Sequence, residues 1–160
     1  MTRSRRYSFL NYLGFGLVVG FFATPAFAQL CLDIDGSDPG GKTIPINSGD
    51  QVRLHFKHSI YGSAVDEIFT VREQGLQLTE LRYGEARLVD FYGHEQSHRE
   101  NGVWVVRPHP VIFPALRLSV SDDAAMSLFV HTAVTPVNLR VPPGSALRVS
   151  VSSCKPGPNG

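Results

Sequence analysis

The chain has 160 residues, 42% of them hydrophobic and 18% charged, with a formal net charge of +1. That length holds one domain, or one domain behind an export leader, and the apolar fraction excludes a disordered chain. The near-neutral balance argues against nucleic acid as a partner, since such proteins carry a basic excess. The average hides a split, because Arg3, Arg5 and Arg6 open the chain and no acid precedes Asp33. Setting those three aside leaves 12 of the 15 basic residues against 14 acidic ones, a balance of −2.

Residues 1–28 read as an address. The basic start is followed by the apolar run Leu13 to Phe22, short for a bilayer span, and by Ala26-Phe27-Ala28, a small-x-small cleavage pattern. The expectation is a signal peptide cleaved after Ala28, with Gln29 as the mature start. The alternative is an uncleaved anchor, so membrane contact is expected only through an uncleaved signal. Ser4-Arg5-Arg6 ahead of Phe9-Leu10 resembles a twin-arginine signal, and the general secretion route fits equally. Gln29-Leu30 before Cys31 lacks the small residue of a lipid-modification site. Either route leads to the bacterial periplasm. In that oxidising compartment Cys31 and Cys154 are expected to form one disulfide, and their spacing suits no metal site.

Residues 29–50 are rich in Gly, Pro and Asp and read as a turn-rich N-terminal segment. Asp33, Asp35 and Asp38 hint at calcium, but Gly36 is fourth and Ile44 twelfth where an EF-hand loop needs Gly sixth and Glu twelfth. A solvated turn is the expected state. From residue 51 to 154 the period is two. Val52, Leu54 and Phe56 alternate with Arg53, His55 and Lys57, and Val65, Phe69 and Val71 alternate with Asp66, Thr70 and Arg72. Leu116/Leu118/Val120, Met126/Leu128/Val130, Val137/Leu139/Val141 and Leu147/Val149/Val151 repeat the pattern. No stretch carries a capped 3.6 period. The fold class is all-β, an antiparallel sandwich or partly open barrel of about 8–10 short strands, immunoglobulin-like in size. Residues 155–160 read as a disordered tail.

A row of polar groups stands out on the apolar face. If Gly62-Ser63 is a two-residue hairpin loop, His58 faces Glu67 and Phe56 faces Phe69. If Gln74-Gly75 is the next loop, Glu67 faces Arg82 and Phe69 faces Glu80. His58, Glu67 and Arg82 then share a row across three strands, with Glu80 beside them. Charges on such a face must pair with each other. Two readings follow: a polar pin that fixes strand register, or a ligand site at the open end of the sandwich. The pin predicts a loss of roughly 3–5 kcal/mol for Glu67→Ala.

The same residues carry a resemblance. His58-Ser59-Ile60, Glu67 nine positions after the histidine, Leu78-x-Glu80-x-Arg82, Gly102-x-Trp104 and Asn138-Leu139-x-Val141-Pro142-Pro143-Gly144 resemble domain-of-unknown-function family 1850. The likeness covers residues 50–152. A Gly-Ala-Gly stretch of that family stands here as Gly84-Glu85-Ala86. Its members are small exported bacterial proteins, often encoded beside tripartite (TRAP) transporters with a TAXI-class receptor. The resemblance implies a periplasmic accessory role and supplies no catalytic residues. His58, Ser59 and Glu67 transfer as motif positions.

Other motifs weigh less. His94-Glu95-Gln96-Ser97-His98 spells H-E-x-x-H, which binds zinc when both histidines lie on one helical turn. Gly93 and Gly102 enclose it and no apolar helical face is present, so His94 and His98 are weak metal candidates. His55, His109 and His131 read as surface histidines. Ser59 and His58 are adjacent, and neighbours in a strand point to opposite faces, which denies them a hydrolase triad. Met126 as the one methionine beyond the leader gives no copper cluster. The expected function is a non-enzymatic periplasmic binding protein without cofactor. Its partner is a transporter receptor, a membrane subunit or a small acidic solute. A small metal hydrolase built on the HEQSH loop and a structural envelope protein without ligand are the alternatives.

Overall fold

The computed structural model describes residues 29–36, 41–121, 125–132 and 136–155. Residues 1–28, expected to be a signal peptide, residues 156–160 of the expected tail, and Asp38 lie outside the described residues. The first five strands are β1 (Leu30–Asp35), β2 (Lys42–Ile46), β3 (Gln51–Lys57), β4 (Ala64–Arg72) and β5 (Gly75–Tyr83). Helix α1 (Ala86–Phe91) follows, then β6 (His98–Glu100), β7 (Val103–Val106), β8 (Val111–Phe113) and β9 (Ala115–Ser119). The chain closes with β10 (Met126–His131), β11 (Val137–Val141) and β12 (Ala146–Ser153).

Two antiparallel sheets result, and they do not close into a barrel. The small one has the order β2-β1-β12-β9; the large one runs β11-β10-β3-β4-β5-β7-β6, with β8 also paired to β5. Twelve strands among the described residues exceed the 8–10 expected, because strands of three residues such as β6 and β8 leave no periodic trace. The segment that reads as turns holds β1 and β2. Leu30, Leu32 and Ile34 alternate inward there against Cys31, Asp33 and Asp35, the same period of two seen later in the chain. β1 pairs with β12 at the far end of the chain, Leu32 opposite Val151. The Cys31–Cys154 disulfide locks this pairing across a sequence separation of 123. Asp33 is held by Thr43 at 2.8 Å and Ser152 at 2.6 Å, which accounts for its carboxylate.

Residues between the sheets form one aliphatic core. Leu32, Val52, Leu54, Val71, Leu76, Leu128, Val130 and Val149 are all essentially sealed from solvent there. A second cluster lies at the other end of the large sheet. Val65, Leu81, Tyr83 and Val106 are covered by Leu88 and Val89 of α1. No small-sheet residue enters that cluster, so α1 serves as its lid. Six residues between Gly84 and Gly93 are too few for a periodic helix signal, and α1 was not foreseeable from the pattern.

Both hairpins depart from the expected register. The β3–β4 loop spans residues 59–62, not Gly62-Ser63. It is closed by His58 N–H on the Ser63 carbonyl and Gly62 N–H on the His58 carbonyl, both at 2.8 Å. Gly62 sits at φ +65°, a conformation that glycine reaches without a Cβ penalty. Phe56 therefore faces Val65 and Leu54 faces Glu67. The slip of four residues is even, so every side chain keeps its face. The β4–β5 pairing differs in kind. Phe69 faces Leu78, but Ile68 faces Glu80, and Thr79 is the extra residue of a bulge. Its hydroxyl donates to the Ile68 carbonyl at 3.0 Å, satisfying a group that the ladder leaves out. Beyond the bulge Glu67 faces Leu81 and Asp66 faces Arg82. An odd slip swaps faces, and this one sends Glu80 and Arg82 to the outside.

Candidate functional site

The expected row is thus split in two. On the outer face Arg82 Nε meets Glu80 at 2.5 Å, and Arg107 lies 3.6 Å from the same carboxylate. Beside them His55 contacts Asp66 at 2.9 Å and Arg53 approaches it at 3.8 Å. These charges neutralise one another across neighbouring strands, as opposite pairs on a sheet do. Ser59 is exposed in the turn after β3 and takes no part in either group. It is not in a strand, and the His58–Ser59 contrast of faces is replaced by a turn.

Glu67 stays on the inner face, between Val65 of the lid cluster and Phe69 of the main core. Its cross-strand neighbours are Leu54 and Leu81. Among the described residues its carboxylate has no hydrogen bond and no ion pair. The loss of water around it pushes its pKa up. Tyr83 is shifted up as well, first by its own burial and then by the charges of Tyr92 and Glu67. Tyr92 moves the same way, by burial first and then by Glu67. By register Tyr83 is the next inner-face residue on β5 after Leu81, the partner of Glu67.

His58 follows the end of β3 opposite Ser63, two inner-face positions beyond Leu54, the partner of Glu67. It is 7% exposed, and its Nδ1 accepts from the backbone N–H groups of Ile60 at 3.3 Å and Tyr61 at 3.4 Å. The turn geometry thus aims the ring, which joins an aromatic cap. Its centroid is 5.3 Å from Tyr61, 5.0 Å from Phe91 and 5.7 Å from Tyr92. Tyr83 stacks on Tyr92 at 5.6 Å and on His94 at 5.6 Å, and the Tyr83 hydroxyl meets His94 Nε2 at 2.8 Å. Phe91 meets His58, Tyr61 and Tyr92 edge-to-face, as Tyr92 meets His58, a favoured geometry of aromatic quadrupoles.

A clasp ties the cap to the hairpin. Ser63 donates to Glu85, Arg87 pairs with the same carboxylate, and the Arg87 guanidinium lies 4.6 Å over the Tyr61 ring. These contacts, Ser63 first and Arg87 second, lower the Glu85 pKa. Glu85 occupies the N-cap position of α1, and its carboxylate caps no backbone N–H of the helix. The Gly84-Glu85-Ala86 stretch therefore joins the 58–63 turn to the lid.

The HEQSH motif has a different shape from a zinc helix. His94 follows the end of α1 in non-helical backbone, and His98 opens β6, where it lies 3.6 Å from Glu100. The two do not share a helical turn, and among the described residues no group of three or more His, Cys, Asp or Glu could hold a metal ion. His94 belongs to the aromatic cap through Tyr83. Sequence reasoning named His58 and Glu67 but missed Tyr61, Tyr83, Phe91 and Tyr92. The available signal was the density of rings from Tyr83 to His94.

The sequence profile of the family described as Domain of unknown function (DUF1850) matches residues 52–136, more than half of the chain. The matched span holds His58, Glu67 and the whole aromatic cap. No curated protein and no solved structure matches the chain.

Proposed function

The chain belongs to the DUF1850 family, and we propose that it is an exported accessory protein that binds a small solute beside a TRAP-type transporter. The observation that carries this reading is Glu67. A shielded carboxylate without a partner costs stability and is retained where it meets something from outside the chain. The aromatic cap beside it supplies contact area, and Ile60, Phe91 and Tyr92 are exposed large apolar groups at the same end. The leader-like residues 1–28 and the disulfide are in keeping with action outside the cytoplasm. Binding rather than turnover is proposed because the hydroxyl of the cap that meets an imidazole, Tyr83 on His94, is a buried phenol whose pKa burial raises. Ser63 is spent on Glu85, and Ser59 stands apart in the turn.

The test is genetic. Deleting the gene is expected to reduce solute uptake by the neighbouring transporter, with native protein restoring it and Glu67→Gln failing to do so. Unchanged uptake after deletion contradicts the accessory role. Full rescue by Glu67→Gln favours a structural envelope protein.

A further inference from the structure

We infer that the solute held at the Glu67 cap is an organic cation, an alkylammonium or quaternary amine, not an acid. The inference rests on the cap being the binding site. Charge comes first. Arg87 in the lid is paired with Glu85, and Arg82 pairs with Glu80 on the opposite face. Glu67 is the inner-face acid left without a partner, whereas Asp90 and Glu95 of the lid segment are exposed to water. An acidic solute would place a second negative charge beside a carboxylate that has lost much of its water, the arrangement that like charges disfavour. A positively charged solute supplies the missing partner.

The surroundings then select the kind of cation. A bare metal ion needs several hard or borderline ligands, and among the described residues no cluster of three exists. An alkylammonium needs one carboxylate and ring faces, since its charge is spread over methyl or methylene groups that pack on aromatic quadrupoles. The cap provides those rings: His58, Tyr61, Phe91 and Tyr92 are linked at centroid distances of 5.0–5.7 Å. Phe91 at 49% and Tyr92 at 45% exposure leave ring surface uncovered. Arg87 over Tyr61 already shows a cation seated on one ring of the cap. Tyr83, one inner-face position along β5 from the partner of Glu67, stacks on Tyr92 and so joins the carboxylate's side of the sheet to the rings.

The experiment uses the full chain, exported and purified, with three probes in titration calorimetry. They are choline, its neutral isostere 3,3-dimethyl-1-butanol, and succinate. Choline is expected to bind about tenfold or more tighter than the isostere, and succinate not at all. Glu67→Gln is expected to lower choline affinity about tenfold and leave the isostere unchanged, and Tyr92→Leu, at an exposed position, to weaken choline without unfolding the protein. Equal binding of choline and the isostere overturns the inference, as does an unaltered choline affinity in Glu67→Gln. Succinate binding without choline binding overturns the cation assignment while leaving a solute site in place. No binding of any probe overturns the cation assignment too, and the uptake experiment then decides the accessory role separately.

Discussion

The inner face of the large sheet is covered twice, and the two covers differ in chemistry. Over β3, β10 and the first half of β5 lies the small sheet, and the space between is filled by Leu, Ile and Val with one phenylalanine, Phe69, among its sealed residues. Over the start of β4, the end of β5 and β7 lies the short helix α1, and the rim there is built of tyrosine, phenylalanine and histidine. The sealed members of the first region are all apolar. The second has a carboxylate at its seam and phenols and imidazoles along its edge. Aliphatic packing between two sheets supplies stability and a fixed frame. The lid end uses that frame to hold groups whose own burial is unfavourable. Stability and recognition are thus set apart along one sheet.

Perturbations of the frame should cost most. Cys31→Ser opens a loop of 123 residues in separation, and the chain-entropy relation gives a loss of about 4–5 kcal/mol as an upper figure, read by urea denaturation. Next comes Leu128→Ala in the sealed core, expected to lose about 2–5 kcal/mol in the same assay without altering choline binding at temperatures where the variant is folded. Phe91→Leu at the cap should behave the other way round. It removes edge-to-face contacts with His58 and Tyr92, costs about 0.5–1 kcal/mol, and weakens the choline signal. The smallest effect is expected for Arg82→Ala on the outer face. Its side chain is 44% exposed, so the loss should be about 0.5 kcal/mol or less and should shrink further in salt. A cap variant that unfolds the sandwich, or a core variant that abolishes binding while folded, would break the division between the two regions.

Much of the frame was legible. Alternating Val, Leu and Phe gave strands β3, β4, β9, β10, β11 and β12, and the two cysteines gave the disulfide. β1 shows the same alternation, hidden by a neighbouring run of Gly, Asp and Pro. The site was legible in part. His58 and Glu67 could be picked out as polar residues on an apolar face, and an even error in the first hairpin did not disturb that. Arg82 and Glu80 were misplaced because a single extra residue at Thr79 reverses the faces beyond it, and hydrophobic pattern cannot locate a bulge where Glu80, Leu81 and Arg82 alternate plausibly in either register. The aromatic cap was missed because its rings come from a turn, a strand end and a six-residue helix. No single period links them. The HEQSH spelling was the reverse case, a motif without the helix that gives it meaning.

Glu67 carries the account, and its ionisation sets a sign. Its folded-state pKa lies above the ordinary value of 4.5, so the folded chain holds its proton to higher pH than the unfolded chain. Stability should therefore fall as pH rises from about that ordinary value through the raised one, and the full cost should be present above it. Neutralising the group removes both the cost and the slope. The decisive measurement is the unfolding free energy of native protein and Glu67→Gln from pH 4 to 8, without ligand. The account predicts a variant more stable by about 1–2 kcal/mol at the upper end, converging with the native protein at the lower end. A variant less stable than the native protein at neutral pH would contradict it, because the carboxylate would then be a pin held by partners within the fold.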